Sequence, residues 1–183
     1  KSTTAALMAR LYDPNSGLVT FQGRDLREFS GAERSKHIGF ILQEPFLFAG
    51  TVKDNLVMGH PELQNAEAPV LSAKLSDKGL TPFLERFAQG LDTPVGEQES
   101  QTSLGQKQLL AFMRAVLREP ELLILDEATA NIDTVTEQAL EAILSRLPET
   151  STRVIIAHRL NTIENADQIF FVNDGQIQSA GSF

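Results

Sequence analysis

Two short stretches carry residues whose types and spacing can do chemistry. Ser103-Leu104-Gly105-Gln106 opens an apolar helical pattern, and the apolar run Leu122-Leu123-Ile124-Leu125 ends in Asp126-Glu127. Of the two carboxylates, one can hold a metal ion and the next can orient a water. The turn supplies a helix N-terminus, where unpaired backbone N–H groups and the helix dipole favour an anion. Together these features point to a site for nucleotide, Mg²⁺ and hydrolytic water.

Such groups need elements to aim them. Ile38 to Leu42, Leu122 to Leu125 and Val154 to Ala157 have the continuous apolar character of strands covered on both faces. Each run meets a polar residue at its end: Gln43, then Asp126-Glu127, then His158. Strands alternate with helices, which implies an α/β fold with a largely parallel sheet. In such sheets ligands bind beyond the carboxyl ends of the strands, so the three polar endings are expected to converge on one crevice.

The helix signals fit that map. Ser103 and Gln106 form a capping-box pattern ahead of Leu109, Leu110, Phe112, Met113, Val116 and Leu117, and Pro120 stops the helix. Thr134 and Glu137 form a second such pattern ahead of Leu140, Ile143, Leu144 and Leu147, with Pro148 as the stop. From about Thr51 to Gly90 the chain breaks into short helical stretches at Pro61, Pro69, Gly79 and Pro82, which reads as a helical insert beside the sheet.

Composition narrows the classes of function. The chain has 183 residues, 42% of them hydrophobic, enough for one ordinary domain with a core. Its net charge of −8 argues against a broad grip on nucleic acid. The absence of cysteine excludes disulfides, zinc–thiolate sites and thiol catalysis. No apolar run approaches the ~18–20 residues of a membrane span. His37 and His60 read as structural residues, and Arg24, Arg27 and Arg34 as a solvated face. Phe46 and Phe48 fit either a core or a docking surface. Both ends read as cuts: Lys1-Ser2-Thr3 leads straight into a helical pattern (Ala6, Leu7, Leu11), and Gln176-Ile177-Gln178 is strand-like with no closing element.

In this order the motifs resemble the nucleotide-binding domain of ATP-binding-cassette (ABC) transporters along essentially the whole chain. Lys1-Ser2-Thr3 resembles the end of a phosphate-binding P-loop, whose pattern is G-x-x-x-x-G-K-[ST]. Gln43 matches the Q-loop glutamine, and Thr102 to Gln106 the signature normally written LSGGQ. Leu122 to Asp126 resembles Walker B with Glu127 as the adjoining acid. Asn131-Ile132-Asp133 resembles the D-loop, and His158 the switch histidine. The signature departs from the family pattern at Thr102 and Leu104, and Gln98-Glu99 replaces the usual Arg-Gly. The stretch Leu42 to Val52, the segment Thr93-Pro94-Val95-Gly96-Glu97, and Ile156 to Leu160 with Asn161-Thr162-Ile163 are similar to exporter-type members.

The resemblance implies a P-loop NTPase (RecA-like) core with a mostly parallel sheet plus a helical subdomain. Residues 1–50 and 119–183 would form the core and about 51–118 the helical subdomain, with N-terminal strands and the P-loop glycines missing. It implies ATP and Mg²⁺ as cofactors and ATP hydrolysis as the activity, with this chain alone expected to be inactive and to bind ATP poorly. Lys1, Ser2 and Thr3 would bind the nucleotide's phosphates, Ser2, Gln43 and Asp126 would hold Mg²⁺, and Glu127, His158 and Gln43 would serve catalysis. Ser103, Gly105 and Gln106 would bind the γ-phosphate held by a second nucleotide-binding domain, identical or different. Leu104 would either face the second domain's phosphate and weaken that site or pack into its own subdomain. The second is the expectation, because Ser103 and Gln106 can still cap the helix and Gly105 still permits close approach. A transmembrane domain, fused N-terminally, would be the other partner, at the cytoplasmic face of a membrane, with no nucleic acid involved. A soluble ABC ATPase of DNA repair or translation, or a regulatory module that binds nucleotide without hydrolysis, are the other classes the motifs allow.

Overall fold

The computed structural model describes residues 1–96, 102–127, 132–157 and 166–181. In chain order it runs α1 (Ser2–Met8), β1 (Thr20–Phe21), β2 (Arg24–Asp25), α2 (Gly31–His37), β3 (Ile38–Ile41), β4 (Gly50–Thr51) and α3 (Val52–Val57). Then follow α4 (Ala68–Asp77), α5 (Thr81–Leu84), β5 (Pro94–Val95), α6 (Leu104–Arg118), β6 (Leu122–Asp126), α7 (Thr134–Leu144), β7 (Thr152–Ile156), β8 (Ile169–Asn173) and β9 (Gln176–Gly181). The expected α/β architecture is present: β3, β6 and β7 form a parallel sheet with β6 at its centre.

Alternation along β6 explains the layering. Leu123 and Leu125 face one apolar cluster and Ile124 the other, as the two-residue period of a strand requires. The first cluster holds Leu56 of α3, Leu71 and Leu75 of α4, Phe112, Met113 and Val116 of α6, and Leu140 and Ile143 of α7. The second holds Ala5 and Ala9 with Leu26, Phe29 and Ile38. The helix α6 is long enough to serve as the hub because its cap and its stop are both written in sequence. Ser103 caps it, and Glu119 takes a left-handed conformation (φ 48°) just before Pro120.

Several boundaries differ from expectation. The strand β7 is covered on one face only: Val154 and Ile156 pack on the second cluster, whereas Arg153 and Ile155 are exposed. Leu11 is exposed and lies outside α1, since Arg10 leaves the helix at φ 51°. The strand at Gln176 has a partner, pairing antiparallel with β8 across Asp174-Gly175. Both turn residues have positive φ, 45° and 74°, the geometry of a tight hairpin turn.

A further pairing joins two stretches far apart in sequence. The strand β4 pairs antiparallel with β5, which brings Ala49-Gly50-Thr51 against Pro94-Val95-Gly96. Gly96 sits at φ +140°, and a Cβ there would meet Ala49 Cα at 2.8 Å, so backbone contact demands glycine.

Candidate functional site

The carboxyl ends of the parallel strands carry the first group of candidate residues. Asp126 is the last residue of β6, opposite Ile156 of β7, and Leu125 stands opposite Ile41 at the end of β3. Gln43 follows β3 by two residues and is exposed at the same end of the sheet. From the other layer, α1 brings Ser2, whose Oγ donates to Asp126 Oδ1 at 3.3 Å. These two residues are 124 positions apart in the chain. Lys1 is the N-cap of α1, and Lys1, Ser2 and Thr3 are all exposed. His158 lies outside the described residues, two positions beyond the end of β7.

Glu127 is half-buried, and its N–H donates to the carbonyl of Ile156 at 3.3 Å. Its φ of 49° places it in the left-handed region, which a side chain such as glutamate rarely adopts. Four other non-glycine residues share that conformation among the described residues. Arg10 and Glu119 terminate helices, and Gln22 and Asp174 turn hairpins. Glu127 alone follows a strand of the parallel sheet. Strained backbone at a strand end is typical of sites that must aim a side chain.

Four of the signature residues, Ser103 to Gln106, line a cavity of about 480 Å³ together with Arg86 and Asp133. The expected capping box is made: Ser103 N–H donates to Gln106 Oε1 at 3.0 Å, and Gln106 N–H donates to Ser103 Oγ at 3.2 Å. Because Ser103 Oγ accepts in this pair, its own proton stays available for an anion. The amides of Leu104 and Gly105, in the first turn of α6, have no intrahelical acceptor either. Gln106 Nε2 donates to the Arg86 carbonyl at 2.8 Å, which anchors Arg86 beside the motif. Sequence reasoning missed Arg86, since no spacing rule links it to Gln106. Leu104 is half-buried, lines the cavity and joins neither apolar cluster, contrary to the expectation that it packs into its own subdomain.

Asp133, also on this cavity, is the N-cap of α7. It accepts from the Thr136 N–H at 2.9 Å and the Thr136 hydroxyl at 2.7 Å, and these bonds hold its carboxyl below the usual range. The cap therefore lies one residue before the expected Thr134–Glu137 box. Asn131 falls outside the described residues.

Two polar residues are structural. His60 is buried, its Nδ1 accepting from the N–H groups of Glu62 and Leu63 and its Nε2 lying 3.2 Å from the Leu117 carbonyl. Asn55, fully buried, braces the loop at Phe48 through both directions of that residue's backbone and also donates to the Thr51 carbonyl. That loop shows Phe46 and Phe48 to solvent, edge to face at 5.0 Å, so they form a surface and not core.

The donor set at α1 and β6 fits Mg²⁺. This ion takes hard oxygen ligands at ~2.1 Å in an octahedron, so adjacent ligands lie about 3 Å apart, and it keeps waters and substrate phosphates for the remaining positions. The Ser2 hydroxyl and Asp126 carboxylate have that chemistry and a spacing of 3.3 Å. No cluster of three or more protein His, Asp or Glu ligands occurs among the described residues, and none is needed for such a site.

The family model for ABC transporters matches residues 1–130. The chain is 44% identical over 182 residues to the ABC transporter ATP-binding protein YfiC of Bacillus subtilis, covering 100% of this chain and 30% of that protein. It is 40% identical to multidrug resistance protein 1 of Entamoeba histolytica over 99% of this chain and 14% of that protein. It is also 40% identical to the mitochondrial ATP-binding cassette sub-family B member 10 of mouse, over 100% of this chain and 26% of that protein. The chain thus spans under a third of the length of these relatives.

Proposed function

Because this chain belongs to the ABC transporter family and is an ABC ATP-binding domain, we propose that it hydrolyses ATP to drive export across a membrane, from the cytoplasmic face, within a larger protein. The observation that carries the hydrolytic reading is the contact between Ser2 and Asp126. It joins the end of a P-loop-like segment to the acidic end of a central strand, as a nucleotide-bound cation requires.

In this reading Ser2 and Asp126 hold Mg²⁺, with Gln43 at the neighbouring strand end. Lys1 and Thr3 bind phosphate. Glu127 accepts a hydrogen bond from the attacking water and orients it in line with the γ-phosphorus. His158 contacts the γ-phosphate. Mg²⁺, when bound, supplies charge neutralisation at the β- and γ-phosphate oxygens. Ser103, Gly105 and Gln106 close on the nucleotide of a second ABC domain, with Ser103 offering the hydroxyl proton that its capping role leaves over. Residues 1–50 and 119–183 form the nucleotide core and about 51–118 the helical subdomain.

Export is supported by the pairing of Ala49–Thr51 with Pro94–Gly96, which unites two exporter-like stretches. The relative named multidrug resistance protein 1 supports it too. A transmembrane domain fused N-terminally would rest on the exposed Phe46–Phe48 surface. Among the described residues no helix is long and apolar enough to cross a membrane.

The test is phosphate release from ATP by the intact protein as Mg²⁺ is varied. Hydrolysis should require Mg²⁺, and Asp126→Asn should raise the Mg²⁺ concentration for half-maximal rate by about tenfold or more, equivalent to roughly 1.4 kcal/mol. An unchanged Mg²⁺ dependence would overturn the assignment of Asp126.

A further inference from the structure

The helix α6 carries one polar residue where its apolar face meets the sheet. Gln108 is fully buried, and its Nε2 donates to the main-chain carbonyl of Gln43 at 3.2 Å. Its Oε1 is buried and accepts no hydrogen bond among the described residues. A buried acceptor left without a donor is unfavourable, and an aliphatic side chain of the same length would avoid that penalty. The amide is therefore poorly explained as a stabilising core residue. What it alone provides is the tie to Gln43.

The position of that tie is informative. Gln108 lies two residues past Gln106, on the helix whose first turn lines the signature cavity. Gln43 lies at the carboxyl end of β3, beside the strand that ends in Asp126. The side chain of Gln43 is exposed, so no burial of its own fixes where it points. A bond to its carbonyl constrains the backbone from which that side chain projects.

We propose that Gln108 is a positioning residue for Gln43: its buried amide locks the main chain of Gln43 to the signature helix, so that a movement of α6 is transmitted to the catalytic crevice. This rests on the reading of Gln43 as a ligand of the hydrolytic site. It assigns Gln108 no contact with nucleotide, and it makes the rate of hydrolysis depend on the placement of α6.

The test is a double-mutant cycle on ATP hydrolysis in the intact protein, using Gln43→Ala and Gln108→Met, with thermal unfolding of each protein measured alongside. Methionine keeps the length of the side chain and removes both the donor and the unpaired acceptor. Gln108→Met should lower kcat by about tenfold with KM for ATP changed less than about twofold, and should leave Tm equal or higher. In the Gln43→Ala background it should cost nothing further, because no side chain remains to be misplaced. Equal losses in both backgrounds, or a clear fall in Tm, would make Gln108 a packing residue and overturn the inference. Wild-type turnover in Gln108→Met beside a slow Gln43→Ala would overturn it while leaving the role of Gln43 intact. Full activity of Gln43→Ala would remove the reading of Gln43 and the inference with it.

Discussion

A Cβ placed on Gly105 would stand 3.2 Å from both the methyl and the hydroxyl oxygen of Thr136. The first turns of α6 and α7 meet at this glycine. Thr136 is buried and doubly bonded to Asp133, so it has little room to give. Gly105 is thus constrained from within its own chain, apart from any approach to phosphate. Gly105→Ala is expected to destabilise the protein by about 1–3 kcal/mol through overpacking. Thr136→Ala should relieve most of that loss in the double variant, because it removes both of the crowded atoms. Denaturant titration of the four proteins checks this, and a Gly105→Ala midpoint equal to wild type would refute it.

Leu104 offers a second, opposite expectation. A leucine in a packed core loses about 2–5 kcal/mol on truncation to alanine. Leu104 lines the cavity at the helix start and joins neither apolar cluster. Leu104→Ala should therefore change stability by less than about 1 kcal/mol, as surface substitutions do. If the signature closes on the nucleotide of a second domain as proposed, its effect should appear in ATP turnover, where a smaller side chain leaves more room for that phosphate. A stability loss in the core range would restore the packing role.

Much of this arrangement was legible in the sequence because it depends on local rules. The capping box at Ser103 and Gln106, the apolar face of α6 and the Pro120 stop are all written within a few residues. The ending of β6 in Asp126 follows from an apolar run meeting a carboxylate. Long-range contacts left no such trace. Arg86 is tied to Gln106 through its carbonyl, which any residue possesses. Gln108 was readable only as a polar residue on an apolar face, without its partner Gln43. The hairpin of β8 and β9 did have a local signal, Asp174-Gly175 flanked by apolar residues, which sequence reasoning passed over.

Acid sensitivity should trace in part to Asp54. Its carboxyl accepts from the Thr51 N–H and the Thr51 hydroxyl, each at 2.8 Å, and these bonds hold it below the ordinary carboxylate value. A lowered folded value means that the unfolded chain binds the proton first as pH falls. The contribution is therefore fully present above the unfolded value of about 3.9, and it is lost as pH drops through the lower folded one. Asp54→Asn should flatten this part of the acid limb. The measurement is stability by urea titration from about pH 6 to about pH 3 for both proteins. A difference between them that does not vary with pH would remove Asp54 from the acid response.

Asp126 and Glu127 are adjacent, yet they are placed differently. Asp126 completes the strand and receives the Ser2 hydroxyl, whereas Glu127 departs in a left-handed conformation with its amide on Ile156. If the first carboxylate holds the cation and the second orients water, their amide variants should fail in different ways. Glu127→Gln keeps size and hydrogen bonding but loses the charge that polarises water. It should bind Mg-ATP with affinity within about threefold of wild type and lower kcat by about 100-fold or more. Bound nucleotide should then accumulate and hold two domains together, visible as a larger species in size-exclusion chromatography with ATP. Asp126→Asn should instead lose Mg²⁺-dependent affinity itself and form no such species. Equal turnover in Glu127→Gln and wild type would rule out Glu127 as the water-orienting group, and identical binding defects in both variants would collapse the division of labour between them.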